Sequence, residues 1–243
     1  VIAEILQDML AEILPADVAV AEVFADLNGA APDLTGIPLF PAEEAAIANA
    51  TPQRRRTFTT GRACARRALS ELGTAPIAIA RDRHGAPCWP AGIVGSITHC
   101  AGYTAAAVAH AGTWRCLGID AEPHGPLPRG GVLARIASSQ EQQRLEDLAA
   151  EHPAVCWDRL LFSAKESVYK AVYPLMGERL AFKDVSIVFA MRDARDAQDG
   201  SFKAHLPTPV LRTARPQSLA GRWLIENGLL LTAIVNPAPR ALR

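Results

Sequence analysis

At 243 residues, 49% of them hydrophobic, the chain can build one large packed domain or two of ordinary size. Its 25 acids balance 25 Lys and Arg, and no apolar run reaches the ~20 residues of a membrane-spanning helix, which argues against an integral membrane protein. Five cysteines, an odd number without CxxC spacing or a signal peptide, read as reduced and cytoplasmic, with no structural zinc.

Residues 1–53 hold nine acids and no Lys or Arg. Ile2, Ile5, Leu6, Met9 and Ile13 recur at helical spacing, so a helix is predicted over 1–14, stopped by Pro15. Its polar face is acidic, which argues against a membrane-surface helix. A strand is expected over 18–24 and a Gly/Pro-rich loop over 28–40. Thr51-Pro52 supplies an N-cap and a first-turn proline for a helix running to Leu72, with Gly73 as its stop. Phe58, Ala65, Leu69 and Leu72 form its apolar stripe, with Arg55, Arg62 and Arg66 along the edge and Arg54 at its N-terminal end. Eight Arg and only two acids lie between Arg54 and Arg83. A basic block of this size in a neutral chain suits a discrete polyanion better than a long nucleic acid, although a solvated helix face is the simpler account. No aromatic stacking platform accompanies it.

Ile77–Ile79 is predicted as a short strand, followed by a turn over 81–87 that presents Arg81, Arg83 and His84. In 93–102 the hydroxyls of Ser96 and Thr98 stand beside His99 between glycines, where they would cradle a phosphate. A structural histidine near a turn is the alternative. A small-residue strand is expected over 103–109. Leu117-Gly118-Ile119-Asp120-Ala121-Glu122, ended by Pro123, reads as the end of a buried strand. Alternation puts Asp120 and Glu122 on one face. They are either two solvated acids at a strand end or a pair that needs a cation between them.

Ser138 and Glu141 make a capping box for a helix to about Glu151. A longer helix is predicted from Pro153 to Tyr173, closed by Pro174 and Gly177. It carries Phe162-Ser163-Ala164-Lys165-Glu166-Ser167-Val168-Tyr169-Lys170, with Glu166 and Lys170 on one face. That pair is an ordinary exposed salt bridge, or a charged pair with a task, since apolar residues surround it. Strands are expected over 185–189 and 202–206, and a hairpin over 223–235 turning at Asn227-Gly228. The similarity of 101–109 to 227–235 hints at two related α+β halves.

Gly118-Ile119-Asp120-Ala121-Glu122 followed by the Ser-Ala-Lys-Glu-Ser run resembles the paired signature of 4′-phosphopantetheinyl transferases. The resemblance is to the larger, monomeric, Sfp-type members, and especially the actinobacterial ones. Trp157-Asp158-Arg159 and the Ser96 to Cys100 segment add to it, so the motifs span 54–170. The resemblance implies an α+β fold of two pseudo-symmetric α/β halves, divided here as 1–112 and 113–243, with the active site in the cleft between them. It implies transfer of the phosphopantetheine arm of coenzyme A to a serine of an apo acyl, peptidyl or polyketide-synthase carrier, releasing adenosine 3′,5′-bisphosphate. Asp120, Glu122 and Glu166 would hold Mg²⁺. Glu166, or a water it orients, would be the base, and Lys165 and Lys170 would contact phosphate or steady the leaving group. Arg54, Arg62, Arg81, Arg83, His84, Ser96, Thr98 and His99 are the candidates for coenzyme A. Two positions depart from the pattern: Ala86 stands where many relatives carry a Lys, and Ala121 offers the metal no side-chain ligand. A non-catalytic coenzyme A or nucleotide-binding protein and a Mg²⁺-dependent phosphohydrolase are the alternatives. No nucleic acid or membrane partner is expected.

Overall fold

The computed structural model describes residues 9–24, 38–178, 180–193, 196–207 and 218–239. Most of the expected first helix and most of the expected 28–40 loop lie outside them. Two compact units emerge, one running through Leu117 and taking in Pro237, the other Gly118–Asn236. The division thus falls within a strand rather than at 112/113.

The first unit contains α1 (Met9–Ile13), β1 (Ala19–Phe24), α2 (Pro41–Ala46), α3 (Pro52–Glu71), β2 (Ile93–Cys100) and β3 (Tyr103–His110). Its antiparallel sheet has the order β1-β3-β2. Thr51 caps α3 by accepting from the Arg54 N–H, and Pro52 occupies the first turn, where a missing N–H costs nothing. The helix lays Cys64, Ala65, Ala68 and Leu69 against Ala19, Ala21, Ala106 and Val108. Small side chains on the sheet let the helix come close. A Cβ on Gly61 would lie 3.1 Å from Ile97 Cγ2 of β2.

One expectation in this unit is corrected. Ile77–Ile79 forms no strand. Ile79 is buried, and its N–H and C=O go to Glu43 and Arg62 side chains instead of a ladder. Residues 93–100 are a strand whose backbone pairs with β3 from Ile93↔His110 to Cys100↔Tyr103. Gly95 marks a close approach within that strand, since a Cβ there would meet the Trp89 ring at 2.8 Å.

β4 (Trp114–Pro123) carries the chain into the second unit, followed by α4 (Val132–Ile136), α5 (Ser139–Glu151), α6 (Trp157–Met176) and a 3-10 turn (Phe182–Asp184). β5 (Ser186–Asp193), β6 (Asp196–His205), β7 (Ser218–Glu226) and β8 (Leu229–Pro237) complete a sheet of order β4-β8-β7-β6-β5. Asn227 and Gly228 turn the β7–β8 hairpin with φ of 50° and 73°, the two positive values a type I′ turn demands. The capping box at Ser138 and Glu141 forms as predicted.

α6 begins at Trp157 rather than Pro153, because 153–156 make a turn in which the Trp157 N–H reaches Val155 O. Pro174 does not end it. The proline removes a single N–H in the last turn, and the helix runs on to Gly177, whose left-handed φ of 69° supplies the stop. α6 packs on its sheet through Trp157, whose ring centroid lies 5.9 Å from that of Trp223 and 5.7 Å from that of Phe189. The two halves share a plan, since the order β4-β8-β7 repeats β1-β3-β2, a first strand beside the second strand of a later hairpin.

Candidate active site

Cations gather at the N-terminal half of α3. The guanidinium carbons of Arg62 and Arg81 stand 4.3 and 5.4 Å from the Phe58 ring centroid. Arg62 is buried and fixed by a 2.8 Å bond from Nε to Ile79 O. Burial, with Arg81, Arg66 and Arg54 adding repulsion against the attraction of Glu43, lowers its pKa to about 10. Arg81 is tied to Ala46 O at 2.9 Å. About two turns before Arg62, Arg54 Nη1 meets His99 Nε2 at 3.5 Å. So many fixed positive groups around one buried carboxylate suit an anion arriving from outside.

Arg54, Arg62, Arg81 and His99 are therefore brought into one neighbourhood. Ser96 and Thr98 are not in it by side chain. Strand alternation sends them to the face opposite Ile97 and His99, and both are buried there. Arg83 and His84 sit at the tip of the 81–87 turn, where Arg83 Nε donates to His84 Nε2 at 2.9 Å. Asp82 holds that turn by accepting from the N–H groups of His84 and Ala86. Ala86 is thus a turn residue, and Arg81 stands over Phe58.

The second unit gathers carboxylates. β4 runs so close to α6 that a Cβ on Gly118 would lie 2.0 Å from Ser167 O. This approach brings Asp120 to Lys170, whose ammonium donates to Asp120 Oδ1 at 2.7 Å and to Ile119 O at 3.2 Å. Asp120 is 4% exposed and Ala121 1%, so neither is a solvated strand end. Glu122, half-buried, accepts from Arg159 Nη1 at 2.8 Å. Burial, and then Asp120, raises the Glu122 carboxyl above its ordinary value. Glu166 is raised as well, by burial first, with Asp120 and Glu122 adding and Lys170 opposing. The three carboxylates therefore share one electrostatic field, and Lys170, which donates to Asp120, also attracts Glu166.

Arg159 had no role in the sequence beyond its motif. In the structure it grips Glu122 and also donates to Gly125 O and Pro126 O, at 3.1 and 2.9 Å. Its neighbour Asp158 accepts from the Leu127 N–H at 2.9 Å, so the first turn of α6 fixes the segment that follows β4. Lys165 is a correction. It is 1% exposed, and its ammonium donates to Ile136 O, Glu141 Oε2 and Phe182 O at 2.7, 3.0 and 2.9 Å. Three protons meet three acceptors, which leaves none for a phosphate.

The hard oxygen donors fit Mg²⁺ in kind. As the side chains stand, no group of three His, Cys, Asp or Glu among the described residues is gathered closely enough to cage a metal. A site of one or two carboxylates completed by substrate phosphate is the usual Mg²⁺ arrangement, and this set can supply it.

The α+β scaffold thus gathers cations in one unit and carboxylates in the other. Residues 42–109 match the 4′-phosphopantetheinyl transferase N-terminal domain and residues 116–211 the 4′-phosphopantetheinyl transferase superfamily. The chain belongs to this family and is an enzyme of its class, acting on coenzyme A and carrier proteins. It is 47% identical to the 4′-phosphopantetheinyl transferase Svp of Streptomyces mobaraensis, over 95% of this chain and 90% of that one. Npt of Nocardia iowensis is 44% identical over 93% of this chain and 99% of its own, and PptT of Mycobacterium tuberculosis 42% over 93% and 97%. No helix among the described residues is long and apolar enough to cross a membrane.

Proposed function

We propose that the protein acts as a monomer, in the cytoplasm, and moves the phosphopantetheine arm of coenzyme A to a serine of apo acyl, peptidyl or polyketide carrier proteins with Mg²⁺ bound. The observation that supports this best is the grouping of Asp120, Glu122 and Glu166, in which Asp120 and Glu122 help to raise the Glu166 carboxyl and Asp120 that of Glu122. Asp120, Glu122 and Glu166 would hold the metal, with Ala121 contributing no side chain. When bound, Mg²⁺ supplies charge neutralisation at the diphosphate.

The chain's own groups do the rest. Arg54, Arg62, Arg81 and His99 take the nucleotide phosphates. Glu166, raised toward neutral pH by burial, accepts the serine proton directly or through a water. The serine oxygen forms its bond to the phosphorus that bears the pantetheine arm. The bond from that phosphorus to the bridging oxygen breaks, and adenosine 3′,5′-bisphosphate leaves with the electron pair. Lys170, already paired with a carboxylate, steadies the negative charge of the diphosphate.

Incubation with coenzyme A, Mg²⁺ and a panel of apo carriers, read by intact mass, should show the gain of one phosphopantetheine arm. Asp120→Ala and Glu166→Ala should each abolish it with the fold retained. Loading at the parental rate by either variant overturns the metal assignment, and coenzyme A consumed without a carrier favours a phosphohydrolase.

A further inference from the structure

Glu141 and Lys165 form a buried, hydrogen-bonded polar cluster in the second unit. The Glu141 side chain caps α5, where Oε2 accepts from the Ser138 N–H at 2.9 Å and from Lys165 Nζ. Its other oxygen accepts from the Ile187 N–H of β5 at 3.0 Å. Lys165 Nζ adds Ile136 O of α4 and Phe182 O of the 3-10 turn. Two side chains therefore connect α6 to α4, α5, the 3-10 turn and the start of β5, all without exposure to solvent. Such a fully satisfied network rigidifies what it joins, whereas one missing partner leaves a buried charge uncompensated.

The first unit repeats the arrangement. Glu43 caps α2 by accepting from the Phe40 N–H at 2.9 Å, takes Arg66 of α3 at 2.8 Å, and accepts from the Ile79 N–H at 2.9 Å. The cap glutamate, the cation on the next long helix and the backbone N–H beyond it recur in the same order. A cation in that position is thus a part of the scaffold, whichever ligand the helix serves.

We infer that Glu141 and Lys165 are positioning residues that hold the Glu166 turn of α6 in register for transfer, and that Lys165 is not a phosphate ligand. Glu166 follows Lys165 directly, so any slip of the clamp displaces it. The inference rests on the role proposed above for Glu166. Loss of carrier loading by Glu166→Ala, against loading by the parent, tests that role first, and the variants below then test the clamp.

Glu141→Gln, Lys165→Met and the double variant are to be compared for coenzyme A dissociation constant by calorimetry without carrier, for kcat of carrier loading, and for amide exchange over 160–170. The expected result is a coenzyme A affinity within about twofold of the parent, a kcat at least about tenfold lower in each single variant, and faster exchange. The double variant should be no slower than the worse single, since the two act as one unit. A dissociation constant raised about tenfold by Lys165→Met but not by Glu141→Gln overturns the inference by making Lys165 a ligand. Unchanged kcat in folded single variants overturns it too. If Lys165→Met does not fold, Glu141→Gln decides, because it keeps the lysine: lowered kcat supports the clamp and parental kcat removes it.

Discussion

The two halves of this chain share a framework, but one clusters arginines along its long helix and the other clusters carboxylates between its first strand and its long helix. In each, a cap glutamate is buried against a cation from the following long helix, Glu43 with Arg66 and Glu141 with Lys165. In each, the long helix lies on a sheet whose central hairpin strand pairs with the first strand of the half. What differs is the face the helix turns to the ligand. α3 carries Arg54 and Arg62, and α6 carries Glu166 beside the Asp120 and Glu122 of β4. The buried clamp is indifferent to that choice, so one scaffold carries a half with clustered arginines and a half with clustered carboxylates.

Glu43→Ala breaks the clamp of the first unit and leaves Arg66 buried without its carboxylate. It should cost about 3–5 kcal/mol in urea unfolding, and a loss below about 1 kcal/mol would mean that the two clamps are not equivalent. The close-approach glycines sharpen the contrast next. Gly118→Ala drives a Cβ against backbone at 2.0 Å and should cost about 1–3 kcal/mol in thermal unfolding, with Asp120 shifted and loading slowed. At Gly61 the obstacle is a side chain at 3.1 Å, and a helical alanine gains about 1 kcal/mol over glycine, so Gly61→Ala should be close to neutral in the same measurement.

Arg54→Ala tests the anion half with little disturbance of the core, because Arg54 is exposed. Coenzyme A should bind about tenfold more weakly at low salt by calorimetry, with the gap narrowing as salt is added. The smallest expected effect concerns pH. Glu166 has a raised carboxyl pKa, so the stability it contributes is complete below the ordinary carboxylate pKa and is lost as pH rises through its folded value. Glu166→Gln should therefore melt higher than the parent at about pH 7, with the difference gone near about pH 4. A variant less stable at neutral pH would show that Glu166 gains more from its neighbours than burial costs it.

Local signals carried far in this sequence. Thr51-Pro52, Ser138 with Glu141, and Asn227-Gly228 each specify a cap or a turn within a few residues, and each forms as expected. The errors fall where distant partners decide. Ile77 to Ile79 reads as a strand, yet the Glu43 and Arg62 side chains take the N–H and C=O of Ile79. Pro174 looks like a stop, yet buried Val172 and Tyr173 carry the helix past it. Lys165 beside Glu166 invites a shared role, but adjacent helical residues point about 100° apart, and the lysine turns into the core.

By itself the sequence determined the residue types and their order: a basic helix, a strand ending in paired carboxylates, and a helix with the third. These follow from periodicity and capping, which act over one or two turns. Tertiary structure alone decided which charges are spent inside the fold. Burial makes an unpaired charge costly, so Glu43, Glu141, Arg66 and Lys165 were committed to one another, and Arg159 to Glu122. Glu166 was left half-buried among carboxylates, with its proton held more tightly than usual.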